Sequence, residues 1–203
     1  MGGRRIKLKT VYIIGAGANK EIKLPTGYEL KKDIAEKLTY SFDYGRFESG
    51  NHEILDAFKF YSKNNQDTVK KLLTASANIK NALPQAISID NYLDAHRNNM
   101  FIEKSGKIGI AFCILNAERN SLLSTINQNK NMNFSVIEKT WYYTFFQTLT
   151  ENCQITDLTA RLKDLGIIIF NYDRCFEYFL YYALQNYYLI TPNESASIIK
   201  SMN

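Results

Sequence analysis

The chain has 203 residues, 45% of them hydrophobic, which is enough to bury one sizeable core and falls within the range of a single domain. Lys and Arg outnumber Asp and Glu by 25 to 20, but the cations are scattered and interleaved with acids, as in ELKKDIAEKL and TARLKDL, so no nucleic-acid partner is expected from a clustered basic stripe. Three widely separated cysteines, Cys113, Cys153 and Cys175, with no C-x-x-C pair, exclude a disulfide framework and a zinc ribbon and suit a reduced, cytoplasmic protein without a metal.

No apolar signal segment comes after Met1 to Arg5. Ile6 to Ile14 is a short, β-branched apolar run ended by glycines and predicts a buried strand. Beyond the turn, Leu30, Ile34 and Leu38 recur every four residues with charged residues between them, which predicts an amphipathic helix. Ser41 to Asn51, rich in glycine and polar residues, reads as a loop, and helices are expected at Glu53 to Ser62 and Asp67 to Ala82. Ser88 is placed to cap another short helix with Tyr92 and Leu93 turned inward.

Longer helices are expected at Lys107 to Ile126 and Phe134 to Thr150, separated by the loop NQNKNMN, with Trp141, Tyr142, Phe145, Phe146 and Leu149 on one wide apolar face that reads as core. A helix over Asp157 to Leu165 leads to Gly166. Ile167 to Phe170 is apolar at every position, as strands covered on both faces of a parallel sheet are. From Arg174 to Tyr188 the pattern is helical again, with Phe176, Phe179, Leu180, Ala183, Leu184 and Tyr187 inward. Asp173, Arg174 and Glu177 interrupt the apolar run Ile167 to Ile190, so it does not read as a membrane span. The order predicts an α/β fold, a Rossmann-like parallel sheet with a large helical insertion. The final TPNESASIIKSMN reads as a helix cut short, and the scarcity of strands points the same way, to the N-terminal part of a longer domain.

Two stretches carry chemistry. Gly15-Ala16-Gly17-Ala18, between a strand and a helix, lets backbone N–H groups approach a pyrophosphate closely. Alone, G-x-G is common in strand-to-helix turns that bind nothing. The dehydrogenase fingerprint lacks its third glycine, since position 20 is Lys20, and no G-K-[ST] closes a P-loop. Instead the chain continues into Leu24-Pro25-Thr26-Gly27, which ends the loop and starts the helix. The second stretch is Asn171-Tyr172-Asp173 at the carboxyl end of a strand, where open parallel sheets bind ligands. Asn171 and Asp173 suit a ligand contact and a helix cap equally well on spacing alone.

Taken together, YIIGAGANKEIKLPTGYELKKDI, SIDNYLDAHR and IIIFNYDRCFEYFLYYAL resemble the sirtuin-like domains of bacterial antiphage defence proteins, over Tyr12 to about Tyr182. The resemblance implies that Gly15, Ala16, Gly17 and Ala18 cradle the pyrophosphate of NAD, with Asn19 standing where the family usually has serine. It implies that Pro25, Thr26 and Gly27 line the pocket, that Asn171 is the catalytic asparagine, and that Asp173 holds the ribose or the nicotinamide amide. The activity implied is NAD hydrolysis to nicotinamide and ADP-ribose by the effector domain of a defence system that kills by NAD depletion, as a homo-oligomer or with a partner defence protein.

Deacetylation is disfavoured by the missing cysteine pairs. The sequence departs from the family in lacking a histidine beyond the N-Y-D motif: its two histidines are His52 and His96. That departure supports an alternative, a catalytically incomplete module that binds NAD or ADP-ribose as a sensor or scaffold.

Overall fold

The computed structural model describes residues 10–125 and 131–202. They form two compact units, one of the described residues up to Leu24 and from Glu118 onward, the other of Pro25–Ala117. The protein is mixed α/β, mostly helical, with a small parallel two-stranded sheet.

The first unit opens with β1 (Thr10–Ile14), and the predicted residues 6–9 of that strand lie outside the described residues. A 3-10 segment, Ala16–Ile22, succeeds it. After Glu118 come a second 3-10 turn, Phe134–Ile137, then, in numbering that runs along the whole chain, α6 (Trp141–Thr150), α7 (Ile155–Lys163), β4 (Leu165–Ile169), α8 (Cys175–Tyr188) and α9 (Pro192–Lys200). β1 and β4 pair in parallel, Thr10 opposite Leu165 through Ile14 opposite Ile169, and the ladder closes with the Phe170 N–H donating to the Ile14 carbonyl at 2.9 Å.

Three expectations do not hold in this unit. The single helix over Phe134 to Thr150 is broken at Thr140, which is extended (φ −106, ψ 159) and whose hydroxyl donates to the Ile137 carbonyl at 2.7 Å. The sheet is also covered on one face only. On the covered face Tyr12 packs edge-on against Phe145 and Ile14 is buried. On the other, Val11 is 53% exposed, Ile13 70%, Ile168 46% and Phe170 76%, so a fully apolar run did not mean two-sided cover. Tyr187, expected inward, is exposed with its ring edge-on to Phe146, while Phe176, Phe179, Leu180, Ala183 and Leu184 are buried as expected.

The second unit contains α1 (Gly27–Lys37), a hairpin of β2 (Ser41–Asp43) and β3 (Arg46–Ser49), α2 (His52–Tyr61), α3 (Gln66–Ala82), α4 (Ile89–Ala95) and α5 (Met100–Arg119), whose last two residues lie past the unit boundary. Its core joins Leu30, Ile34 and Leu38 to Ile54, Phe58, Leu72 and Ile79, as the four-residue spacing required. The expected loop at Ser41 to Asn51 is a hairpin. Tyr44 and Gly45 both take positive φ, as a two-residue turn that matches strand twist demands, and Phe42 meets Phe47 across the strands. The helix expected from Lys107 starts at Met100, where the Asn99 side chain accepts the N–H groups of Phe101 and Ile102. It runs through Gly106, where a Cβ would come within 2.5 Å of Leu93.

Candidate functional site

Because β1 and β4 are parallel and in register at Ile14 and Ile169, the Gly15 turn and Asn171-Tyr172-Asp173 leave the same end of the sheet side by side. Gly15 is extended (φ −111, ψ 172), and its carbonyl accepts the Ala18 N–H at 2.9 Å. Neither Gly15 nor Gly17 has a positive φ, and a Cβ at either would meet nothing within 4 Å. The chain's own packing therefore requires glycine at neither position, and the turn presents open space where bare backbone can be approached.

The two motifs are joined by a buried hydrogen-bond chain. Asn19, 1% exposed, donates its Nδ2 to Asp173 Oδ1 at 2.8 Å across 154 residues of sequence. Tyr142 Oη donates to Asn19 Oδ1 at 2.6 Å. Asp173, 8% exposed, also accepts on Oδ1 the N–H of Cys175, the first residue of α8, at 3.0 Å, although the N-cap position itself is Arg174 and carries no side-chain cap bond. The Asn19 carbonyl accepts the Leu24 N–H, which fixes that residue's backbone as well.

Asn171 behaves differently. Both its Oδ1 and its Nδ2 are buried, and neither makes a hydrogen bond among the described residues. A buried amide left unpaired costs folding about 1–3 kcal/mol, so stability does not account for asparagine at this position.

The break at Thr140 puts two further residues at the turn, both of which read from the sequence as core packing. Trp141 Nε1 donates to the Ala18 carbonyl at 2.8 Å, and its main-chain N–H donates to the Glu21 carboxylate at 2.7 Å. The indole stacks on Phe176, with ring centres 5.9 Å apart and planes 3° from parallel. Three bonds from two consecutive residues thus hold the Ala18–Glu21 segment. The one signal available beforehand was Thr140, a competent cap preceding an aromatic run.

Burial, with neighbouring Cys175, Asp173 and Glu177, pushes the Tyr142 hydroxyl far above the ordinary phenol value, so it stays a proton donor. Burial likewise drives the Cys175 thiol well up, aided by Asp173, which marks it as an inert small side chain and not a nucleophile.

Pro25, Thr26 and Gly27 belong to the second unit, where Thr26 caps α1 with Glu29 in a reciprocal capping box. His96 Nδ1 bonds the Tyr92 carbonyl at 2.9 Å and its ring lies on Tyr92, while the His52 ring packs on Phe47. Both belong to the second unit. Among the described residues no group of three or more His, Cys, Asp and Glu side chains could hold a metal ion, and no helix is long and apolar enough to cross a membrane. A surface groove of about 370 Å³ lies between Ile155, Ile190 and α9 and contains none of the residues singled out from the sequence.

Comparison of the chain with models of known families, with curated proteins and with solved structures finds no match.

Proposed function

We propose that this chain carries a sirtuin-like, Rossmann-like NAD site and hydrolyses NAD to nicotinamide and ADP-ribose, as the effector of an antiphage defence system in a reduced cytoplasm. The observation that carries the reading is the meeting of Gly15–Asn19 with Asn171–Asp173 at one end of a parallel strand pair, through the Asn19–Asp173 bond. Support also comes from the unpartnered Asn171 amide and from two glycines that the fold does not need. The three cysteines are all free, as a reducing compartment allows.

In the reaction, the bond between nicotinamide and the ribose C1 breaks and its electron pair leaves with the nicotinamide. The oxygen of a water molecule bonds to C1, and one proton is released. The ribose passes through a cationic, oxocarbenium-like state as in glycoside hydrolysis, and a fixed carboxylate and amide stabilise such charge. Asp173, oriented by Asn19 and the Cys175 amide, is the fixed carboxylate. Asn171, with a free acceptor and a free donor, aligns the water or the ribose hydroxyls. No metal enters this scheme. Such an activity must be restrained until infection, which calls for an oligomer or a partner defence protein.

A second reading, binding of NAD or ADP-ribose without turnover, is favoured by the engagement of Asp173 in two structural bonds. Nicotinamide release from NAD by the purified chain separates the two. Release that disappears in Asn171→Ala supports the hydrolase; nucleotide binding without release supports the sensor; neither binding nor release removes both.

A further inference from the structure

We infer that Tyr142 is a positioning residue for this site, acting through Asn19 on the Asp173 carboxylate. The inference rests on the NAD-hydrolase reading and adds to it a residue that the resemblance does not supply. A carboxamide is nearly symmetric in shape, so packing alone does not decide which end of Asn19 faces Asp173. The Tyr142 hydroxyl decides it: by donating to Asn19 Oδ1 it turns Nδ2 toward Asp173 Oδ1. With the amide reversed, an oxygen would face the carboxylate and the bond that joins the two motifs would be lost.

The tyrosine itself has little freedom. It is fully buried, its ring meets Phe179 edge-on at 5.1 Å, and it sits one residue beyond Trp141, which is tied to the same turn by two bonds of its own. Two donors on Oδ1, Asn19 Nδ2 and the Cys175 N–H, fix the plane of the Asp173 carboxylate and so set where its second oxygen points. During NAD cleavage that orientation matters most when positive charge develops on the ribose, and less while substrate is merely bound.

The test is steady-state nicotinamide release by wild type, Tyr142→Phe, Asn19→Ala and the double variant, each assayed well below its own Tm. Tyr142→Phe removes only the hydroxyl. The expected result is a kcat lowered about tenfold, the effect of one lost orienting hydrogen bond, with KM changed less than about twofold. Asn19→Ala is expected to lower kcat at least as far, and the double variant no further than Asn19→Ala alone, since Tyr142 acts through Asn19.

A tyrosine that only packs would lower Tm and leave kcat where it was, and that result overturns the inference, as does additivity in the double variant. If Tyr142→Phe does not fold, Asn19→Asp reads the same contact: a carboxylate at position 19 places like charge against Asp173, and wild-type kcat in that variant overturns the inference. A wild-type chain that releases no nicotinamide overturns the functional reading and this inference with it, which is distinct from a wild type that turns over beside an unaffected Tyr142→Phe.

Discussion

Asn171 and Asp173 stand two residues apart, yet they are held in opposite ways. Asp173 accepts two hydrogen bonds from the chain, and Asn171 makes none among the described residues. Their alanine variants should therefore part company. Asn171→Ala removes no bond that stabilises the fold and relieves an unpaired amide, so its Tm should stay at or slightly above wild type while nicotinamide release is lost. Asp173→Ala leaves Asn19 Nδ2 and the Cys175 N–H unpaired and should cost on the order of 3 kcal/mol, along with activity. Thermal melts beside the release assay check this; a marked fall in Tm for Asn171→Ala would mean that the asparagine is structural. The sequence placed Asn19, Asn171 and Asp173 as candidates but left open which residues cap and which bind. Capping depends on a side-chain torsion, which spacing does not fix. Tyr142 was legible only as part of an apolar stripe, because at the beginning of a helix and in its middle an aromatic residue has the same periodicity.

β1 and β4 were both visible as short apolar runs, and the helix of Leu30, Ile34 and Leu38 as a period of four. Punctuation between elements was harder to read. Tyr44-Gly45 looks like loop but is a hairpin turn, Gly106 conceals the early start of α5, and Thr140 breaks a run that looks continuous. Each of these depends on φ, ψ or on a neighbour distant in sequence, which local pattern does not report. Cover of the sheet was equally illegible, since Val11, Ile13, Ile14 and Ile168 are alike in type and differ only in what lies over them. The difference is measurable. Ile14→Ala should destabilise by about 2–4 kcal/mol, a typical cost for a buried isoleucine, whereas Ile13→Ala should cost less than about 1 kcal/mol. Urea denaturation of the pair checks it, and equal losses would mean that Ile13 is also covered in solution.

The molecule as a whole holds several acidic protons in apolar surroundings. Burial pushes the Cys113 thiol up to about 12 and the Tyr188 hydroxyl up to about 12, and it drives Tyr40, Tyr142 and Cys175 upward as well. For all five the folded protein keeps a proton that the unfolded chain gives up at its ordinary pKa, about 8.5 for a thiol and about 10 for a phenol. Their contribution is thus fully present below those values and is lost as pH rises through them toward the folded pKa values. Tm should be steady from neutral pH to about 8.5 and fall steeply above about 9 to 10, the thiols acting first. Calorimetric scans across that range would check it; a Tm unchanged up to about pH 11 would mean that these groups are hydrated in the folded state.

Trp141 reports directly on whether the Gly15 turn and the two strand ends form a dinucleotide site. It is the sole tryptophan of the chain, and its indole N–H is bonded to the Ala18 carbonyl within the turn. The measurement is a titration of the purified chain with NAD, following tryptophan emission, with Asn171→Ala alongside. A saturable change in wild type, weakened in the variant, is the predicted result. No saturable change up to about 1 mM NAD, the upper end of ordinary KM values, would contradict a dinucleotide site at this turn.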